Sequence, residues 1–322
     1  MRALVTGATG FVGSHLVEAL RRRGDEVTAL VRSPARAERL RPLGVRLIEG
    51  DLDQEPALAR AAEGREVVFH VAGLVAARDP ADFFRCNRDG TARVLGAAAR
   101  AGVRRFVLVS SLAAGGPTAP GRPLRGPEPP RPVSAYGRSK LAAEELVRAG
   151  PVPWTIVRPP TVYGPRDREL LRLFKLARLG VVPVFGDGSQ QLSLVHAADL
   201  AEALVAAAAA DAARGRLYYA CHPEIVTSAE LARAVGAAVG RRVVVVPVPP
   251  RAGRAALALA GGAARVLGRA TILTADKANE FFQPAWIADP TPLAADTGWR
   301  ARYDLAMGLP ETYRWYRSAG WM

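Results

Sequence analysis

Val5-Thr6-Gly7-Ala8-Thr9-Gly10-Phe11-Val12-Gly13, near the start of the chain, places three glycines at the junction of two regular elements. A short apolar strand, Ala3-Leu4-Val5, runs into it, and an amphipathic helix over Val12 to Arg23 leaves it. The glycines at this junction differ in what they allow. Gly7 permits a tight turn, Gly10 lets a pyrophosphate approach the backbone, and Gly13 lets helix and strand pack closely. Phosphates would then sit at the positive end of the helix. Glycines also mark ordinary turns, so the strand before the loop and the helix after it are what point to a dinucleotide. Thr9, Phe11 and Val12 lie in the same turn and are expected to line the site.

Working outward, short apolar runs recur at Val27 to Val31, Val45 to Ile48, Val67 to Val71, Val103 to Val109 and Trp154 to Val157, mostly with helical segments between them. Such alternation predicts a parallel sheet covered on both faces, with right-handed crossovers. The expected fold is α/β: a Rossmann, doubly wound parallel sheet with a smaller, mixed C-terminal substrate lobe. Residues 1–160 are expected to form the nucleotide-binding domain. Residues 161–322 would form mainly the substrate lobe, with segments returning to the sheet. In that second half, helices are expected over Ala201 to Ala213 and Ser228 to Val239, and an extended run over Val243 to Val248. Pro117 to Pro132 holds seven prolines and reads as an ordered loop.

The formal charge of +14 raises nucleic acid or an anionic surface as partners. Of the 44 basic residues only Lys140, Lys175 and Lys277 are lysine, and the arginines are scattered among acidic residues in helices. No nucleic-acid module accompanies them, so no nucleic-acid partner is expected. The most apolar late stretch, Ala255 to Leu267, is broken by Gly261-Gly262 and Arg265, well short of the roughly 20 apolar residues a membrane span needs. No transmembrane segment is expected, and with no signal peptide at the start the chain is expected to be cytoplasmic. Cys86 and Cys221 have no metal-ligand spacing, so no metal site is expected.

A site for NAD usually places a carboxylate after the second strand. Here that strand ends Ala29-Leu30-Val31-Arg32-Ser33, and Arg32 would suit a 2′-phosphate. NADP is therefore the expected cofactor, with NAD as the alternative. Asp51 and Leu52, after the third strand, are placed to meet the adenine, although Asp51 would serve equally as a helix cap.

Tyr136 and Lys140 open a helical segment four residues apart, so they project from one face. A tyrosine is a poor base at neutral pH, and a neighbouring ammonium should lower its pKa. Ser110-Ser111 ends the strand Phe106 to Val109, where sheets of this kind bind ligands, and a serine there can hold a reacting oxygen.

With these residues assembled, the chain resembles the extended short-chain dehydrogenases/reductases over nearly its whole length. Thr6 to Gly13, Gly50-Asp51-Leu52, His70-Val71-Ala72-Gly73, Asn87 before Gly90-Thr91, Ser110-Ser111, Tyr136 to Lys140 and Arg158 to Pro165 fall in family order. The resemblance implies that Ser111 orients the substrate oxygen, Tyr136 exchanges the proton and Lys140 holds the nicotinamide ribose. It further implies that Ala72 and Gly73 pass the cofactor's ribose and phosphates, with Val109 beside them. Asn87 would open the helix beneath the active site, and Pro159 and Pro160 would form the nicotinamide-contacting turn. A homodimer through helices of the nucleotide domain is also implied.

The stretch Phe185 to His196 is similar to the sugar-nucleotide branch, in which an arginine two residues after the first glutamine grips the diphosphate; here that position is Leu192. Losing such a contact costs roughly 1.5–3 kcal/mol, unless Arg172 or Arg178 substitutes. The second strand's ending resembles the dihydroflavonol reductase branch, and the apolar run Val243 to Leu267 would suit either a hydrophobic pocket or plain core packing. The expected function is hydride transfer between NADP(H) and a hydroxyl or carbonyl of a fairly apolar small molecule. A nucleotide-sugar epimerase or dehydratase with bound NAD is the alternative. A non-catalytic nucleotide-binding subunit is a third, although such relatives tend to lose the tyrosine or lysine kept here.

Overall fold

A computed structural model of the chain describes residues 1–126, 128–268 and 270–322. The strands in chain order are β1 (Arg2–Thr6), β2 (Glu26–Val31), β3 (Arg46–Glu49), β4 (Val67–His70), β5 (Arg105–Val109), β6 (Trp154–Arg158), β7 (Thr161–Tyr163), β8 (Val181–Phe185), β9 (Gln191–His196), β10 (Arg216–Tyr219), β11 (Ile225–Thr227), β12 (Val244–Val248) and β13 (Ala285–Trp286). Seven of them make one sheet in the order β10-β6-β5-β4-β1-β2-β3, and every neighbouring pair is parallel. The chain winds outward from β1 through β2 to β3, then crosses back to β4. The reversal falls between β1 and β4, and a crevice opens there beyond the strand ends.

Both faces of the sheet are covered, which explains why its strands are continuously apolar rather than alternating. Leu16 and Leu20 of the helix Phe11–Arg22 pack with Leu200 and Leu204 of Ala197–Ala209 on one side. On the other side Leu58, Val94, Leu95, Ala143 and Val147 come from three helices. A third cluster, around Tyr163, Phe174, Val182, Val235, Leu309 and Tyr316, stands apart from the sheet and includes the C-terminal helix Leu305–Ser318.

Two sequence-based boundaries move for local reasons. The helix expected from Ala201 starts at Ala197, directly after β9, because the His196 side chain accepts the Ala198 N–H and caps it. The strand expected from Val103 starts at Arg105, since Gly102 takes a left-handed φ of 65° and Val103 still bonds back to the preceding helix. The proline-rich stretch is a loop pinned at three places: Thr118 N–H to Ala285, Leu124 N–H to Ile287 and Arg131 N–H to Gly115. Its Pro127 lies outside the described residues. Among the described residues no helix is long and apolar enough to cross a membrane.

Candidate active site

The glycine loop ends β1 at the sheet's point of reversal. Gly7 has a φ of 71°, and a Cβ there would stand 2.7 Å from the Ala72 nitrogen. A Cβ on Gly13 would stand 2.1 Å from the Gly7 carbonyl oxygen, so nothing larger than glycine packs helix against loop. At Gly10 a Cβ would meet only that same oxygen, at 3.1 Å, and would otherwise fill the cradle itself. Gly10 caps the helix Phe11–Arg22 without a side-chain hydrogen bond, and no acidic residue occupies the first turn. The positive end of the helix is therefore bare, as a pyrophosphate site requires.

A cavity of about 1710 Å³ runs from this loop over the ends of β1, β4 and β5. That exceeds the roughly 300–1,000 Å³ of a single small-molecule site, so a dinucleotide and a second molecule fit together. Every candidate cofactor or catalytic residue lines it (Gly7, Thr9, Gly10, Phe11, Val12, Gly13, Arg32, Asp51, Leu52, Ala72, Gly73, Val109, Ser111, Tyr136, Lys140, Pro159, Pro160) except Asn87.

Asn87 does not open a helix but sits buried inside the turn Phe84–Asp89, behind the cavity wall. Its Oδ1 accepts from Leu74 N–H at 2.8 Å, while Nδ2 donates to the Leu74 carbonyl at 3.1 Å and to Ser139 Oγ at 2.9 Å. It thereby ties the Gly73-Leu74 wall to the helix that carries Tyr136 and Lys140. Asp51 is not a helix cap either: Gln54 occupies that position, and Asp51 Oδ1 instead accepts the Asp53 N–H at 2.9 Å.

Arg32 is exposed at the end of β2 and lines the cavity. Arg39 joins it from the turn Pro34–Leu43 and donates to the Thr9 carbonyl at 2.6 Å. Arg39 is exposed, and partial desolvation, then the nearby Arg166 charge, lowers its pKa. Sequence reasoning missed Arg39 because one arginine among so many carries no distinguishing signal.

Ser111 follows β5, its Oγ accepts from Ala113 N–H at 3.2 Å, and it stands near enough to Tyr136 to draw the phenol's pKa down. The helix Ala135–Ala149 is capped by Ser134, whose Oγ accepts the Gly137 N–H at 3.0 Å. From its first two turns Lys140 Nζ donates to the Val109 carbonyl at 2.7 Å. Burial lowers the pKa of Lys140 to about 8, opposed by the Glu144 carboxylate. The expected lowering at Tyr136 is not what this environment gives. Burial pushes the phenol up to about 12, against the pull of the Ser111 bond and with a push from Glu280. The reason is desolvation: burial of the phenol outweighs every charge acting on it. Tyr136 is therefore a firmly protonated donor, suited to giving a proton to a nascent alkoxide.

Beneath the pair, Arg158 and Glu144 are almost wholly buried and joined by two bonds of 2.8 and 2.7 Å. Tyr219 and Ser110 complete this ion pair. Sequence reasoning also missed residues from the C-terminal half. Lys277 Nζ stands 5.0 Å over the Tyr136 ring and pairs with Glu280, which accepts from Ser134. No local pattern links these positions; only the fold brings them together.

From the C-terminal half the cavity is lined by Leu192, Ile272, Phe281, Trp286 and Trp321, with Gln190, Lys277 and Glu280 among them. Arg172 and Arg178 do not line it, whereas Arg166 and Arg168 do. Arg166 is held by Glu18 on two bonds, and Arg168 lies 5.2 Å over the Trp321 ring. The C-terminal segment thus contributes a wall. The run Val243 to Leu267 is neither a main pocket wall nor core: β12 and the helix Pro250–Val266 turn most of their side chains outward.

A parallel sheet with a glycine cradle at its switch point, and a serine, tyrosine and lysine on the same cavity wall, defines a nicotinamide-dependent oxidoreductase. The profile of the NAD dependent epimerase/dehydratase family matches residues 3–221, and the chain belongs to that family. It is similar to a ceramide reductase of Caulobacter vibrioides, with 36% identity over 99% of this chain and 95% of that one. It is also similar to a 4-hydroxy-2-methyl-3-oxo-4-farnesyl-3,4-dihydroquinoline-1-oxide ketoreductase of Stigmatella aurantiaca, 37% identical over 65% of this chain and 64% of that one. Among solved structures it resembles MoeE5 in complex with UDP-glucose and NAD, with a TM-score of 0.79, 28% identity and 99% of each chain covered.

Proposed function

We propose that the protein is an NADP(H)-dependent reductase that interconverts a carbonyl and an alcohol on an apolar small molecule. The observation that carries this is Leu192, where the sugar-nucleotide branch holds an arginine, lining the same cavity as Ser111, Tyr136 and Lys140 together with Ile272, Phe281 and Trp286. Two relatives whose names describe reduction of apolar molecules support the same substrate class. In this reading residues 1–160 hold the cofactor and 161–322 supply most of the substrate-facing lobe.

The loop of Gly7, Gly10 and Gly13 and the bare helix end would hold the pyrophosphate, and Arg32 with Arg39 the 2′-phosphate. When bound, the nicotinamide supplies or accepts the hydride at the substrate carbon. Ser111 holds the substrate oxygen, and Tyr136 gives that oxygen its proton during reduction. Lys140, anchored on Val109, positions the ribose hydroxyls.

Incubation of the protein with NADPH and a long-chain ketone should consume nicotinamide absorbance in proportion to alcohol formed. A second reading, a sugar-nucleotide epimerase using NAD, draws on Arg168 at the cavity wall and on the likeness to MoeE5. Turnover of UDP-glucose without net change in nicotinamide absorbance would replace the first reading with the second.

A further inference from the structure

The helix Pro250–Val266 presents its apolar side to solvent. Ala252, Ala255, Ala256, Leu259, Ala263, Val266 and the adjoining Leu267 are all exposed, Leu259 by 76%, Val266 by 89% and Leu267 by 67%. At 3.6 residues per turn these positions fall within an arc of about 120°, a continuous stripe rather than scattered residues. The inward side holds only Gly253 and Leu257 fully buried. A monomer rarely leaves so ordered an apolar face uncovered.

Charge selects what covers it. Arg251 borders the stripe, Arg265 and Arg254 lie further round the helix on the same side, and the helix has no acidic residue. Arg254 reaches Asn279 and the Phe282 ring, and Arg265 stands 3.6 Å from Asp79, so the row is held at the helix's edge. An apolar stripe edged by arginines is the pattern of a helix lying in the plane of an anionic membrane interface. A second copy of the chain would bring the same cations and no carboxylate on this helix to meet them.

The inner edge of the same helix has a complementary feature. Ala258, Gly261, Gly262 and Arg265 roof a side cavity of about 330 Å³ that reaches Tyr136 and shares Val75, Ile272 and Lys277 with the main cavity. A molecule leaving a bilayer beneath the helix would therefore meet a passage to the reacting tyrosine.

We propose that the helix Pro250–Val266 docks the protein on an anionic lipid bilayer, with the side cavity as the entry for a bilayer-resident substrate. The entry rests on the apolar-substrate reading, whereas the docking does not. Flotation with vesicles of phosphatidylcholine containing a minority of phosphatidylglycerol, without cofactor or substrate, tests the docking alone. The protein should float with these vesicles and bind pure phosphatidylcholine about tenfold less. Leu259→Asp/Val266→Asp should abolish flotation while keeping the wild-type far-UV circular dichroism, and Arg251→Glu should weaken binding to the anionic vesicles only. Wild-type protein that stays in the aqueous fraction overturns the proposal, as does flotation unaffected by the double variant. A wild-type dimer in light scattering that the double variant dissolves, with no vesicle binding by either, assigns the stripe to a second copy instead and also overturns it.

Discussion

Raising the pH should disable carbonyl reduction through Lys140 rather than through Tyr136. Burial has pulled the Lys140 ammonium down to about 8 and pushed the Tyr136 phenol up to about 12. Below about 8 the lysine carries its charge; above it the charge is lost, and with it the hold on the ribose hydroxyls that the proposed function assigns to Lys140. Roughly nine-tenths of Lys140 is charged at pH 7 and about one-tenth at pH 9, whereas the phenolate is then only on the order of one in a thousand. The reduction rate at fixed, saturating NADPH should therefore fall about tenfold between those pH values, with a midpoint near 8. Steady-state reduction of a long-chain ketone across the pH range, followed by nicotinamide absorbance, reads this directly. Lys140→Met should be slow throughout and show no step near pH 8, while Tyr136→Phe should lose about 10²–10⁴-fold at every pH. A step that survives in Lys140→Met would refute the assignment to the lysine. Unchanged activity in Tyr136→Phe would refute the proton donor itself.

Three further outcomes follow from other parts of the site. Arg32→Asp should weaken NADPH about tenfold or more, from loss of a charge-assisted contact and added repulsion, yet change NADH little; titration by fluorescence separates the two, and equal weakening would exclude a 2′-phosphate contact. Gly13→Ala should abolish cofactor binding and lower thermal stability, because the new Cβ would stand 2.1 Å from a backbone oxygen that cannot move aside cheaply; retained NADPH affinity in calorimetry would contradict the close packing. Glu144→Ala should cost about 3–5 kcal/mol by leaving the buried Arg158 unpaired, measured by urea denaturation. Since the Glu144 carboxylate raises the Lys140 pKa, the same variant should move the alkaline step to lower pH.

The glycine loop and the parallel sheet around it were legible in the sequence because their determinants are local. Gly7, Gly10 and Gly13 lie within seven residues, so strand, turn and helix can be read together with their purpose. Tyr136 and Lys140 are four apart on one helix, and helical geometry alone puts them side by side. Apolar runs of three to seven residues marked the strands, since burial on both faces leaves no polar alternation to blur them.

What the tertiary structure decided lies in pairings between distant segments. Lys277 and Glu280 reach Tyr136 and Ser134 across about 140 residues of chain, and Arg39 turns back onto Thr9. The pKa of Tyr136 could not be inferred from its neighbour in sequence, because burial of the phenol, which only the fold creates, is the largest influence on it. The run Val243 to Leu267 shows the same limit most plainly. Its apolar composition suits a pocket wall, a core strand or an exposed face, and composition does not say which way a side points. Only the packing of Gly253 and Leu257 inward, with Leu259 and Val266 left in solvent, tells the three apart.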